Sequence, residues 1–239
     1  MSERLIVALD SNDINKIKML VDRLQNVVKY FKVGAIPFTC FGPEIIRFLK
    51  ERGLKVMLDL KYHDIPNTVA RACEGAMELG VDMLTMHTSG GFMMMEETVK
   101  AVSIVSDVKK LPKPKLLGIT TLTSIDEAYF KDLFGDVKRT IEEQVVFLAR
   151  LAQSAGLDGV VASPQEIESI RKYCGKDFLI VTPGIRTEGE MIDDQARTMT
   201  PARAIKAGAD FIVVGRPIIA AKDPLNAAKN IIKEIENAG

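Results

Sequence analysis

The stretch from residue 56 to residue 68, VMLDLKYHDIPNT, begins as an apolar run and then places two acids, Asp59 and Asp64, around a lysine, Lys61. Because side chains alternate along a β-strand, Asp59 and Lys61 are expected on the face that also carries Met57. A single structural ion pair would account for two such charges. Buried ion pairs, however, seldom stabilise a fold more than apolar side chains of similar size. Several charges at one strand end therefore favour a functional site.

The lysine in this stretch could be a Schiff-base nucleophile, a bystander of a metal site or a proton donor. A Schiff-base lysine must lose its charge, which requires burial or neighbouring cations. Lys61 instead has Asp59 and Asp64 close by in the sequence, and carboxylates favour the charged ammonium. This pattern argues against an aldolase and predicts a general acid.

Magnesium is the metal that a cluster of carboxylates would hold. Asp10, Asp59 and Asp64 could supply three such groups. Lys32 and Lys61 would compete with the ion for the same oxygens. We therefore predict a site without a metal ion.

Eight short apolar runs recur along the chain, as expected of parallel strands that are covered on both faces. They are RLIVALD, YFKVG, LKVMLDLK, VDMLTMH, KLLGITTL, DGVVAS, FLIVTPG and DFIVVG. Amphipathic segments separate them, such as NDINKIKMLVDRL, in which the apolar residues follow a helical spacing.

Three of the junctions between these elements repeat one pattern. A helix end is followed by Gly80, Gly156 or Gly208, then by one residue, an aspartate and a strand. Glycine suits this position because it adopts the left-handed conformation that ends a helix. Strands and helices that alternate through 239 residues predict a (β/α)8 TIM barrel, formed as a single domain by residues 1–239. A doubly wound open sheet is the alternative.

In such a barrel, the chemistry gathers at the C-terminal ends of the strands. Charged residues, a threonine and a glycine stand at or just after these ends in the sequence: Asp10, Lys32, Asp59, Lys61, Thr123, Arg186, Gly215 and Arg216. The motifs TPGIR and VVGRPI follow the seventh and eighth runs, where barrels of this kind usually bind phosphate. Gly215 would let the backbone approach an anion closely, and Arg216 could donate two parallel hydrogen bonds to it. These patterns predict binding of a phosphate monoester.

The connection from residue 186 to residue 201 is long for a strand-to-helix loop. We expect it to form a lid over the phosphate, with Gln195 as a hydrogen-bond donor. Arg197 in the same loop is either functional or an ordinary solvated residue.

Composition argues against several classes of protein. Lys and Arg number 32, as do Asp and Glu, so no charge excess favours a nucleic acid or an anionic membrane as partner. The three scattered cysteines, Cys40, Cys73 and Cys174, fit neither a disulfide framework nor a zinc site. No apolar stretch approaches the length of a membrane span. We therefore expect a cytoplasmic protein.

The string DLKYHDIPNT closely resembles the signature of the orotidine 5'-phosphate decarboxylase family, Asp-x-Lys-x-x-Asp-Ile-Pro-x-Thr. The strings LTS, TPGIR, DDQAR and GRPI follow in the order expected of that family. The resemblance implies decarboxylation of orotidine 5'-monophosphate (OMP) to UMP, the last step of de novo pyrimidine synthesis. It also implies a homodimer that uses neither a metal nor an organic cofactor.

The resemblance further implies catalytic roles for the charged residues. Lys61 would donate a proton to C6, and Asp59 would lie beside the departing carboxylate. Lys32 and Asp59 would complete an alternating charge network with Lys61 and Asp64. In this family the second aspartate and the threonine of the signature reach the neighbouring subunit's site, which would be the role of Asp64 and Thr68.

Substrate contacts are implied for the remaining matching positions. Asp10 and Lys32 would contact the ribose, and Thr123 would contact the pyrimidine. The residues that would contact the phosphate are Arg186, Gln195, Gly215 and Arg216. His63 is expected to pack or to form hydrogen bonds rather than to react. His87 ends the fourth run and is interpreted as a packed barrel histidine, with a functional role as the alternative.

Two alternatives remain open at this point. Magnesium-dependent sugar-phosphate lyases of the same barrel family, such as hexulose-phosphate synthase and ketogulonate-phosphate decarboxylase, resemble the Asp-x-Lys-x-x-Asp core. A non-catalytic barrel that binds a nucleotide phosphate is the second alternative, although the intact Lys61 and its acids argue against it.

Overall fold

The computed structural model describes residues 2–135, 138–186 and 197–238. Within them, eight parallel strands form one closed barrel in which each strand pairs with the next along the chain. The strands are β1 (Ser2–Ala8), β2 (Val28–Gly34), β3 (Lys55–Tyr62), β4 (Met83–His87), β5 (Lys115–Ile119), β6 (Gly159–Val161), β7 (Leu179–Thr182) and β8 (Phe211–Val214). Strand β1 also pairs with β8, with Ile6 opposite Val213. The predicted barrel is confirmed, and the open-sheet alternative is wrong because this last pairing closes the sheet.

Helices alternate with the strands. They are α1 (Ile14–Leu24), α2 (Ala35–Phe41), α3 (Glu44–Lys50), α4 (Pro66–Glu78), α5 (Gly91–Lys109), α6 (Glu127–Phe134), α7 (Ile141–Ser154), α8 (Ile167–Cys174), α9 (Pro201–Ala207), α10 (Arg216–Ile219) and α11 (Pro224–Glu236). Gly80, Gly156 and Gly208 have φ values of 76°, 87° and 111°, so the predicted left-handed helix ends are confirmed. Among the described residues, no helix combines the length and apolar character needed to cross a membrane.

The core has two layers, as the alternation of strand side chains requires. Val56 and Leu58 belong to the larger cluster, which joins the strands to the surrounding helices. Met57 belongs to the smaller cluster inside the barrel, which comprises Ile6, Ala8, Met57, Met83, Leu117, Val181 and Val213. The next two positions of the inner face after Met57 are Asp59 and Lys61, so the strand carries them to the mouth of the barrel.

The aspartates of the repeated glycine motif have a common structural role at the opposite, N-terminal end of the barrel. Each carboxylate accepts a backbone N–H from the preceding strand: Asp82 from Val56 at 2.8 Å, Asp158 from Leu116 at 2.9 Å, and Asp210 from Ile180 at 2.7 Å. Each also pairs with a cation. The pairs are Asp82 with Lys50 and Lys55, Asp158 with Lys115, and Asp210 with Arg171.

Candidate active site

A cavity of about 570 Å³ opens at the C-terminal ends of the strands. It is lined by residues from several parts of the chain, including these predicted ones: Asp10, Lys32, Asp59, Lys61, Thr123, Arg186, Gly215 and Arg216. Parallel strands bring these residues together because all their carboxyl ends meet at one end of the barrel. Ser124 and Pro183 also line the cavity and were not among the predicted residues.

Four of the lining residues form a row of alternating charges. The Lys32 ammonium lies 3.2 Å from Asp10 Oδ1 and 3.5 Å from Asp59 Oδ2, and the Lys61 ammonium lies 2.9 Å from the same Asp59 oxygen. Asp59 is 7% exposed, whereas the side chain of Lys61 is 37% exposed. The row therefore ends in Lys61, whose ammonium pairs with the buried Asp59 carboxylate and is partly exposed in the cavity.

The protonation of Asp59 follows from its two cationic neighbours. Burial opposes ionisation, but the ammonium groups of Lys32 and Lys61 outweigh it and hold the pKa of the Asp59 carboxyl below its ordinary value. Asp59 is thus an anion at neutral pH. Its Oδ2 contacts the Lys61 ammonium, the group that could act as a general acid.

Lys61 has an unusual backbone conformation. Its φ is 51°, in the left-handed region, which costs a residue with a side chain about 1–2 kcal/mol. The pairing of β3 with β4 is irregular here, since Leu58 lies opposite Leu84 but Tyr62 lies opposite Met86. Strain of this kind persists only where the surrounding structure fixes it, and it is often found at functional sites.

Two residues that sequence reasoning missed support the charge row. Thr85 of β4 is fully buried, and its hydroxyl contacts both Asp59 and the Lys61 backbone. A Cβ added to Gly34 would lie 3.1 Å from Lys32 Nζ and 3.2 Å from Asp10 Oδ1. Gly34 therefore leaves room for this ion pair. The residue type gave no signal in either case, because threonine and glycine are common at strand positions and ends.

The end of the cavity that is predicted to bind phosphate is formed by residues that follow β7 and β8. Arg186 donates from Nη1 to the Ile185 carbonyl at 3.0 Å, and its Nη2 is buried without a hydrogen-bond partner among the described residues. Gly215 is the N-cap of α10, which begins at Arg216, and both residues line the same cavity. Guanidinium groups and backbone N–H groups in this arrangement suit a dianionic phosphate. Gln195, together with the middle of the predicted lid, lies outside the described residues.

Arg197 is not a solvated loop residue, so that interpretation is wrong. It is 6% exposed, pairs with the buried carboxylate of Glu166, and donates from Nη2 to the Leu122 carbonyl at 3.1 Å. Leu122 precedes Thr123 in the loop after β5. Arg197 therefore joins the chain before α9 to a loop that lines the cavity.

Asp64 and Thr68 do not line the cavity of their own chain. Both are exposed, and Asp64 Oδ1 accepts the Ile65 N–H at 2.7 Å. Thr68 lies in the first turn of α4. The apolar side chain of Ile65, which lies between them in the sequence, is 67% exposed.

The two histidines contact each other beside the charge row. The ring centroids of His63 and His87 lie 5.2 Å apart. Burial, followed by the effects of His63 and Lys61, lowers the pKa of His87 below its ordinary value. His87 is therefore neutral at physiological pH.

A cluster suited to a metal ion would contain at least three acidic, histidine or cysteine ligands. The described parts of the chain contain no such group. In the charge row, the oxygens of Asp59 instead contact two ammonium groups and a hydroxyl.

Comparisons with known proteins agree with this geometry. A family model described as "Orotidine 5'-phosphate decarboxylase / HUMPS family" matches residues 3–231. The chain is 49% identical over 234 residues to the orotidine 5'-phosphate decarboxylase of Moorella thermoacetica, covering 98% of this chain and 92% of that protein. It is 49% identical over 235 residues to the enzyme of the same name from Syntrophus aciditrophicus, covering 98% and 93%. The crystal structure of orotidine 5'-phosphate decarboxylase from Lactobacillus acidophilus matches with a TM-score of 0.84 and 36% identity, over 98% of this chain and 99% of that one.

Proposed function

Because the chain belongs to the orotidine 5'-phosphate decarboxylase / HUMPS family, we propose that it decarboxylates OMP to UMP and carbon dioxide in pyrimidine biosynthesis. The observation that carries this proposal is the position of Asp59 between the ammonium groups of Lys32 and Lys61 in a cavity lined by two arginines. Such a site combines a proton donor, a fixed electrostatic field and a phosphate-binding end.

Lys61 is the proton donor in this proposal. The bond between C6 and the carboxylate breaks, carbon dioxide leaves, and the electron pair stays on C6. The Lys61 ammonium stabilises this developing charge and transfers a proton to C6, which leaves a neutral amine that is reprotonated from solvent. The strained backbone of Lys61 supports the assignment because it fixes the starting point of the side chain.

Asp59 and Lys32 prepare the field in which this transfer takes place. Asp59 lies beside the substrate carboxylate and pairs with the Lys61 ammonium, while Lys32 also pairs with the buried Asp59 carboxylate. Asp10 and Lys32 bind the ribose, and Thr123 binds the pyrimidine. Charges that are already oriented before the reaction need no reorganisation during it, and this lowers the activation free energy of decarboxylation.

The phosphate is bound far from the reacting carbon. Arg186, Gly215 and Arg216 at the ends of β7 and β8, together with Gln195, contact its oxygens. Binding energy from these contacts orients the pyrimidine over Lys61 and so contributes to catalysis without touching C6.

The active unit is a homodimer in which Asp64 and Thr68 act in the site of the partner subunit. Their exposure outside the cavity of their own chain supports this arrangement, as does the exposed Ile65 between them. The protein is cytoplasmic, and residues 1–239 form a single domain. Its equal numbers of acidic and basic residues give no reason to expect a nucleic acid or membrane partner.

Turnover of OMP tests the proposed activity directly. The purified protein is mixed with OMP, and the loss of ultraviolet absorbance is followed with and without a chelator such as EDTA. We expect rapid loss of absorbance that the chelator leaves unchanged. If the wild-type protein does not convert OMP, the proposed activity is wrong. Turnover of OMP that strictly requires magnesium would instead contradict the predicted metal-free site.

Mixing two inactive variants tests the shared site. Lys61→Ala and Asp64→Asn are each purified, then unfolded and refolded together so that subunits exchange. If Asp64 acts across the interface, each mixed dimer contains one site with both wild-type groups. Random mixing should then restore about a quarter of wild-type activity. If Asp64 acts in its own subunit, mixing restores nothing.

A further inference from the structure

Thr85 of β4 connects the two central residues of the charge row through one hydroxyl. Its Oγ1 accepts the backbone N–H of Lys61 at 3.0 Å and donates to Asp59 Oδ1 at 3.0 Å. We propose that Thr85 is a positioning residue for the decarboxylation, which holds the Asp59 carboxylate and the Lys61 backbone in one fixed arrangement. This inference rests on the proposed roles of Lys61 and Asp59.

The irregular pairing between β3 and β4 explains why Lys61 needs an acceptor from a side chain. Since Leu58 lies opposite Leu84 and Tyr62 opposite Met86, residues 59–61 of β3 lie opposite Thr85 alone. Extra residues in a bulge lose their regular backbone partners. The Lys61 N–H, which a regular ladder would direct to a carbonyl, is bonded instead to the Thr85 hydroxyl.

The two oxygens of Asp59 have different partners, because the Thr85 hydroxyl binds only one of them. Oδ2 lies 2.9 Å from the Lys61 ammonium and 3.5 Å from the Lys32 ammonium, while Oδ1 accepts from Thr85. The bond to Oδ1 fixes the rotation of the carboxylate plane, and this keeps Oδ2 between the two cations. Threonine suits the position because its branched Cβ restricts the rotation of its own side chain. Thr85 itself is fully buried, so it acts through Asp59 and Lys61.

Replacing Thr85 by valine keeps its shape and removes the hydroxyl. We expect kcat for OMP to fall about 100-fold, because a small displacement of catalytic groups has effects of this size. KM should change by less than about threefold, since the phosphate contacts lie elsewhere in the cavity. The acid limb of the kcat–pH profile should move to higher pH, because Asp59 loses a hydrogen bond that favours its charged form.

Two matched variants separate positioning from packing. Thr85→Ser retains the hydroxyl and should keep kcat within about fivefold of wild type. Thr98→Val makes the same change at another fully buried threonine, whose Oγ1 donates to the Met94 carbonyl at 2.8 Å within α5. Its kcat and acid limb should match those of the wild type. If Thr85→Val does not fold, Thr85→Ala and Thr85→Ser provide the comparison, with the serine variant at least about tenfold faster.

The outcomes distinguish this inference from the proposed function. A Thr85→Val enzyme with wild-type kcat and an unmoved acid limb would overturn the role of Thr85 and leave the decarboxylase assignment intact. Equal losses in Thr85→Ser and Thr85→Val, or in Thr85→Ser and Thr85→Ala, would also overturn it, since packing alone would then explain the effect. A wild-type protein that does not convert OMP would instead refute the proposed function.

Discussion

Aspartate–cation pairs occur at both ends of this barrel, but the two ends hold their carboxylates differently. At the N-terminal end, Asp82, Asp158 and Asp210 each accept a backbone N–H of the sheet in addition to pairing with a cation. At the C-terminal end, Asp59 is held by the side chains of Lys32, Lys61 and Thr85.

This difference separates charges that support the sheet from those for which we propose a catalytic role. A carboxylate bonded to the backbone extends the strand ladder, so its loss weakens the sheet. A carboxylate held by side chains in a cavity carries the cost of burial and adds little to stability, so stability alone does not account for it. Residue type alone does not distinguish the two ends, whereas the source of the hydrogen bonds does.

Removing Lys61 from the C-terminal end of the barrel should affect the rate of OMP turnover and not the fold. We expect Lys61→Ala to lower kcat/KM at least about 10⁴-fold, because both the proton donor and a fixed positive charge are lost. The free energy of unfolding should change by less than about 1 kcal/mol, since Lys61 is partly exposed. Steady-state kinetics and urea unfolding of the same preparation measure both quantities. Full activity in this variant would disprove the assignment of the donor.

The opposite result is expected at the structural end. Arg171 pairs with Asp210 and also donates to the carbonyls of Gly175, Phe178 and Gly208. Arg171→Met should lower the free energy of unfolding by about 2–3 kcal/mol, because several partly buried acceptors lose their donor. OMP turnover below the unfolding transition should equal that of the wild type. Arg171→Lys, which keeps the charge but not the forked geometry, should give an intermediate loss of stability.

A smaller loss is expected from Asp82→Asn. The asparagine retains an oxygen that can accept the Val56 N–H, but it loses the charge that faces Lys50 and Lys55. We expect about 1 kcal/mol of destabilisation at low ionic strength, and less in high salt because screening weakens the ion pairs. Urea unfolding at two salt concentrations measures this. An equal loss at both concentrations would assign the effect to the hydrogen bond.

The acid dependence of stability provides the finest test of the comparison. Since folding lowers the pKa of Asp59 below the ordinary 3.8, its contribution is complete above this value and is lost as pH falls through the lower, folded pKa. The unfolding free energy of the wild type minus that of Asp59→Asn should therefore be constant above about pH 5. Below pH 3.8 this difference should change in favour of the variant, because the wild type loses stability as Asp59 becomes protonated. A pH-independent difference throughout would show that the folded pKa is not lowered.

The sequence predicted the barrel and the lining of its cavity because both depend on strong periodic signals. All eight predicted strands are present, and the polar residues at their ends meet as parallel strands require. The role of Thr85 was not predicted, because its bond to Asp59 depends on the irregular pairing of β3 with β4. The types of the residues give no sign of this irregularity. The pair between Arg197 and Glu166 was also missed, since it joins two loops that only the folded barrel brings together.

Closure of the barrel has a consequence for synthesis of the protein on the ribosome. The edge of β1 that meets β8 stays unpaired until residues 211–214 have emerged, because Leu5, Ile6 and Val7 pair with Ile212, Val213 and Val214. The nascent chain therefore carries an open sheet edge through most of its translation. Contacts between positions so distant in sequence form slowly, which makes this interval the one in which a chaperone would protect the chain from aggregation.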